Sequence, residues 1–117
     1  MILMIKILNR GFISVTPKPS FYDEAAKEMD ADIVHFENPE PTIYLIEEDF
    51  WDNESILKKH FKKIIACEKR QLSPASKLEL ADINAENLTH YFTFSFGNLV
   101  IDNEDKGIEL TKDDLSN

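Results

Sequence analysis

Residues 52–72, DNESILKKHFKKIIACEKRQL, decide the fold that we expect for this chain. Apolar side chains recur there at the three-to-four spacing of one helical face, and cations occupy the opposite arc. The apolar face carries Ile56, Leu57, His60, Phe61, Ile64 and Cys67, and the cationic arc carries Lys58, Lys59, Lys62, Lys63, Lys69 and Arg70. Asp52 or Asn53 is the expected N-cap, and Ser73-Pro74 ends the helix because proline lacks a backbone donor. The pattern predicts a long amphipathic helix over about 53–71.

One charged residue conflicts with this pattern. Glu68 projects near the line of Phe61 and Ile64, on the apolar side of the helix. A lone carboxylate is costly to bury. We therefore expect either that the last turn leaves the core or that Glu68 reaches His60.

Length and composition indicate a single domain, residues 1–117, with a modest core. The apolar share is 43% and the chain contains eight phenylalanines, which argues against disorder. One cysteine excludes an intramolecular disulfide and fits a reducing compartment. The apolar start, MILMIKIL, is too short to span a bilayer and lacks a cleavage site, so we expect a cytoplasmic protein.

The first half of the chain predicts short strands around one short helix. Residues 2–8 and 12–16 should form a hairpin about a turn at Asn9-Arg10-Gly11. Ser20 is the expected cap of a helix near 21–30, with strands at 32–36 and 42–46 after it.

The second half is less regular. Leu78, Leu80 and Ile83 fit either a strand or a helix that starts at Ser73, and 84–87 is a turn. Alternation from His90 to Phe96 predicts a half-buried strand. Gly97-Asn98 is a two-residue hairpin signal before a returning strand at 99–101, and 111–117 should be a flexible tail. The sum is an α+β domain, an antiparallel sheet of hairpins packed against one long helix.

Charge is distributed unevenly around the net value of −9. Residues 53–71 carry six basic and two acidic side chains, whereas 20–52 carry eleven carboxylates and one lysine. This balance repels nucleic acid and anionic membranes and attracts basic partners. The cationic helix face has four possible roles: a solvated surface, docking on an acidic partner, pairing with the acidic loops, or phosphate binding.

Carboxylates recur every few residues through these short elements. The candidate partner-binding set is Glu37, Glu40, Glu47, Glu48, Asp49, Asp52 and Glu54, with Asp102, Glu104 and Asp105 as a second patch. On one surface they could imitate the phosphates of a duplex, which carries about one charge per 1.7 Å of axis. In size, acidity and absence of catalytic motifs the chain resembles the small acidic bacterial DNA-mimic proteins, a group that shares a charge strategy rather than a fold.

This resemblance implies a non-enzymatic protein, without cofactor or metal, that occupies the DNA site of a nucleoid protein, repressor or nuclease. We also expect a monomer that binds neither nucleic acid nor membrane directly. The cationic helix face departs from a uniformly DNA-like surface. A toxin-immunity protein is an alternative of the same class.

Two other classes stay open. A small enzyme or ligand-binding domain could use Cys67, His60 or His90 in a pocket under the long helix, although a thiolate nucleophile needs an exposed electropositive site. An assembly subunit could dock through the strand 92–96 or the cationic helix face. Asp102 to Gly107 resembles the start of a calcium loop, but Lys106 stands where an oxygen ligand is needed, so we interpret it as a turn.

Overall fold

A computed structural model describes residues 5–29, 39–72 and 79–111. Within these ranges the chain is an α+β domain with antiparallel sheets and one long helix, as the sequence predicts. The elements, in chain order, are β1 (Lys6–Leu8), β2 (Gly11–Pro17), α1 (Pro19–Met29), β3 (Thr42–Ile46), α2 (Asn53–Leu72), α3 (Leu88–Tyr91), β4 (Phe92–Gly97) and β5 (Val100–Asp102).

The core lies between a three-stranded sheet and the helices. Strand β2 is central, with β3 on one side and β4 on the other, both antiparallel to it. Ile13 and Val15 point inward from β2 and are fully buried. The helices contribute Phe21 from α1 and Ile64 from α2 to the same cluster. Alternation in β4 leaves Thr93 and Ser95 on the exposed side, as predicted for this half-buried strand.

Helix α2 confirms the long amphipathic helix, with one change in its buried face. Ile65 and Glu68 are buried, whereas His60 and Cys67 are only half-buried. Both expectations for Glu68 are wrong, because its side chain stays in the core and binds Tyr44 and Gln71. These hydrogen bonds offset part of the cost of burying the carboxylate, so the last turn can stay in the core.

A pairing between the first and last strands replaces the two predicted hairpins. β1 pairs with β5 rather than with β2, and β4 continues toward β5 instead of turning back onto it. Leu8 is opposite Val100, and Phe12 is opposite Gly97. Three residues therefore separate the paired positions on the first strand and two on the last, which is the count of a β-bulge.

The turn signals thus mark the bulge between β1 and β2. Glycine is favoured at Gly11 and Gly97, on the two sides of the bulge, because other groups approach the backbone so closely that a side chain would crowd them. A Cβ on Gly97 would lie 2.4 Å from Cε1 of Phe12, and one on Gly11 would lie 3.0 Å from the carbonyl oxygen of Glu47. We call the β1–β5 pair the ribbon.

Three smaller predictions are corrected. Ser20 lies inside α1, and its hydroxyl donates to the carbonyl of His90 at 2.7 Å. His90 belongs to α3, so β4 begins at Phe92. Leu80 and Ile83 lie in turns, since the Ile83 amide donates to the Leu80 carbonyl at 3.0 Å.

Some predictions fall outside the described residues. These are the strand at 32–36, Glu37, most of the possible element after Ser73, the first residues of the chain and nearly all of the 111–117 tail. No helix in the described ranges is both long enough and apolar enough to cross a bilayer.

Candidate functional site

The acidic loop, residues 47–52, connects β3 to α2 and is held to α2 by its first carboxylate. Glu47 accepts a hydrogen bond from Lys59 and lies 2.5 Å from Nε2 of His60. Hydrogen bonds from Lys59 first, and then from His60, lower the pKa of Glu47 to about 2. Glu47 is thus an internal anchor, and its charge is balanced by α2.

The middle of the acidic loop is fixed against the bulge. The amide of Asp49 donates to Oδ1 of Asn98 at 3.1 Å, and the Phe50 ring lies 6.3 Å from the Phe96 ring. Asp49 has φ 58°, in the left-handed region that aspartate and asparagine tolerate better than most residues. The loop is therefore held at its middle as well as at Glu47.

The end of the acidic loop is used to start α2. Oδ1 of Asp52 accepts the Glu54 amide at 3.2 Å, and Oδ2 accepts the Ser55 hydroxyl at 2.7 Å. These hydrogen bonds, with Ser55 the larger cause, lower the pKa of Asp52. Glu54 pairs with Lys58 at 3.5 Å. This confirms Asp52 as the cap, and it shows that internal pairing occupies part of the cationic helix face.

Two carboxylates and one indole remain directed outward. Glu48 and Asp49 are exposed, and neither carboxylate forms an ion pair with any residue that the structure describes. Trp51 is 100% exposed. The anchored loop therefore presents a large aromatic side chain next to two carboxylates that no described residue pairs.

The ribbon extends this surface from the bulge. Its exposed side carries Ile7 directly opposite Ile101, and the exposed Ile5 and Leu99 flank the two strands. Asp102 follows at the end of β5 and pairs with Lys6 at 3.5 Å, while Glu104 and Asp105 are exposed. From Asn98 to Asp102 an extended chain covers about 13 Å, so the second acidic patch lies on the ribbon that starts beside the acidic loop.

The structure does not bring Glu40 to this surface. Glu40 precedes β3, and Glu47 follows it, so an extended chain would separate them by about 23 Å. Glu28, another carboxylate of the acidic segment, accepts the amides of Glu79 and Leu80 at 2.6 and 2.9 Å. It serves the fold, because it holds a backbone segment that is distant in the sequence. The same backbone donors lower the pKa of Glu28.

The residues considered for catalysis do not meet. Cys67 and His60 are separated by seven residues, about 10.5 Å along the helix axis. Burial, followed by the nearby Glu68, raises the pKa of the Cys67 thiol, which disfavours the thiolate. His90 is exposed on α3, with its ring 4.8 Å from that of Tyr91. Within the described ranges, no group of three or more His, Cys, Asp or Glu side chains is arranged to hold a metal ion.

Sequence reasoning missed the surroundings of Glu68. Tyr44 donates to its Oε2 at 2.5 Å and Gln71 donates to the same oxygen at 3.1 Å. Burial raises the pKa of Glu68 against the opposing effect of these hydrogen bonds. The conflict between Glu68 and the apolar face was the available signal, but its donors come partly from β3 and could not be assigned along the helix.

Comparison with known proteins places the chain in no family: no protein-family model, curated protein or solved structure matches it.

Proposed function

We propose that this chain is a non-enzymatic binding protein that takes a basic protein partner through the acidic loop and the ribbon. The observation that carries the proposal is the fully exposed Trp51 beside Glu48 and Asp49, whose exposed carboxylates have no ion-pair partner in the described ranges. Tryptophan is enriched among the residues that dominate binding energy. The anchored loop would lose little conformational freedom on binding, which favours affinity.

The charge and the apolar ribbon support a basic partner that also has an apolar patch. A basic surface would be attracted by Glu48, Asp49, Glu104 and Asp105, while an apolar patch on it would cover Ile7 and Ile101. Interfaces combine a buried apolar centre with a polar rim. We infer that the partner is a DNA-binding protein of the cytoplasm, such as a nucleoid protein, repressor or nuclease, whose phosphate-binding cations meet these carboxylates.

The experiment uses the purified chain as an immobilised bait for basic proteins of its source lysate. Bound proteins are identified, and the affinity of the main one is measured for the wild type and for two variants. Trp51→Ala should weaken binding by about 30-fold, the effect of a hot-spot residue. Glu48→Gln with Asp49→Asn should slow association and reduce its salt dependence, because these side chains supply steering.

A matched control variant distinguishes the effect of this surface on affinity from the effect of net charge. Glu86→Gln with Glu109→Gln removes the same two charges from exposed positions elsewhere, and it should leave affinity within about twofold. Equal binding by wild type and Trp51→Ala would contradict the proposed surface. Duplex DNA should displace the chain from its partner; a ternary complex with DNA would refute competition for the DNA site.

A further inference from the structure

A second site lies at the opposite end of α2 from the acidic loop, beside residues of α1. A cavity of about 470 Å³ opens there between Phe21 and Tyr22 of α1, Glu68 and Leu72 of α2, and the segment before β3. Cavities that hold small ligands have volumes of about 300–1,000 Å³. The cavity is therefore large enough for a small organic molecule.

One of the residues that line this cavity has a buried carboxyl group, which hydrogen bonds hold in place. Glu68 is only 3% exposed and still lines the cavity. Tyr44 and Gln71 both donate to its Oε2, and Gln71 is held in turn by Thr42, whose Oγ1 lies 3.0 Å from its amide nitrogen. The hydroxyl and amide donors orient the carboxyl group, but they carry no positive charge that would neutralise it.

The cavity has no cation of its own in the described part of the chain. Among the lining residues that the structure describes there is no Lys, Arg or His, and none of the described ion pairs includes Glu68. Buried charges in proteins are normally paired. Glu40 at the cavity adds a second carboxylate, so the site would repel an anion and attract a positive charge.

Aromatic and apolar side chains form the walls of the cavity. Phe21 and Tyr22 line the cavity with their ring centroids 5.8 Å apart, and Pro17, Pro39 and Leu72 add apolar surface. Aromatic rings attract cations through the negative potential of their faces, most strongly where water is excluded. We propose that this cavity binds a small organic cation, an alkylammonium or quaternary ammonium compound, with Glu68 as its counter-ion and Phe21 and Tyr22 against its apolar part.

The test is a titration of the full chain followed by amide chemical shifts. Choline and n-butylammonium are the probes, and 3,3-dimethylbutan-1-ol is the neutral analogue of choline. At least one cation should give saturable shifts centred on Phe21, Tyr22, Gln71 and Leu72. The neutral analogue should bind at least about tenfold more weakly, since it lacks the charge that Glu68 would pair.

Two variants decide whether Glu68 is responsible. Glu68→Gln keeps the shape of the side chain and should weaken cation binding at least about tenfold, whereas Glu86→Gln should leave it unchanged. Amide spectra of the free variants establish that both are folded. The proposal is wrong if neither cation saturates, if the neutral analogue binds equally well, or if folded Glu68→Gln binds as the wild type does. It is independent of the partner surface, which lies at Trp51 and the ribbon.

Discussion

Glu68 is an ionisable group that is only 3% exposed. Its folded-state pKa is raised by burial, with Tyr44 and Gln71 opposing the shift. Between its ordinary pKa and the raised value, the folded protein holds the proton more tightly than the unfolded chain does. The free energy of unfolding therefore falls as pH rises through this window.

We predict that Glu68→Gln stabilises the chain at neutral pH, because glutamine keeps a polar group for Tyr44 without the buried charge. The gain should exceed the roughly 0.5 kcal/mol typical of surface substitutions, and it should shrink as pH approaches the ordinary range of glutamate. Urea unfolding at several pH values measures it. Glu104→Gln, at an exposed carboxylate, is the control; a stability difference that does not vary with pH would exclude this explanation.

Residue-scale roles were only partly predictable. The capping role of Asp52 follows from its position before the helical pattern. The roles of Glu47 and Glu28 do not, since their partners are separated from them by 12 and 51 residues. A carboxylate that balances a lysine and one that faces solvent look identical in the sequence, so Glu48 and Asp49 could not be distinguished from Glu47.

At the scale of elements, the bulge depends on close contact between Phe12 and Gly97. A methyl group on Gly97 would lie 2.4 Å from Cε1 and 2.7 Å from Cζ of the ring. We predict that Gly97→Ala destabilises the chain by about 1–3 kcal/mol, the usual cost of overpacking. Thermal or urea unfolding measures this.

Gly107 supplies the matched control, because a Cβ there has no neighbour within 4 Å. Gly107→Ala should change stability by less than about 0.5 kcal/mol. In a Phe12→Leu background the cost of Gly97→Ala should fall, giving a coupling of at least about 0.5 kcal/mol between the two sites. Additive effects would show that the ring is not the cause.

Local patterns predicted the elements better than their pairing. The periodicity of 53–71 and the β-branched residues of 42–46 identify α2 and β3, because these signals depend on near neighbours. The hairpin predictions failed because pairing depends on contacts such as Leu8 with Val100, which are distant in the sequence. Glycine at a close backbone approach gives the same signal as glycine in a tight turn.

At the scale of the whole molecule, the net charge of −9 should act in opposite ways on folding and on binding. Self-repulsion among carboxylates opposes the compact state, and salt screens it. We predict that sodium chloride, raised from low to physiological concentration, increases the melting temperature by a few degrees, equivalent to about 1 kcal/mol or less. Calorimetry of the free chain measures it.

The same salt should slow association with a basic partner, because screening removes the attraction that steers encounter. A melting temperature that falls with salt would mean that ion pairs such as Glu47–Lys59 outweigh the repulsion.

The sequence predicts the sign of the net charge effect. Pairing of α2 with the acidic loops was one of four roles that the sequence left open, and the sequence could not select it because the choice depends on which groups are adjacent in space.

Three residues lie between the paired positions Leu8 and Phe12, whereas two lie between their partners Gly97 and Val100. This difference shifts the alternation of exposed and buried side chains along the first strand. Ile5, Ile7, Ile13 and Val15 all occupy odd-numbered positions, yet the first two are exposed and the last two are fully buried. The branched residues of one short segment, 5–15, are thereby divided between the interior and the outside. The length of the segment 9–11, more than its composition, therefore decides which isoleucines are left for another molecule to cover.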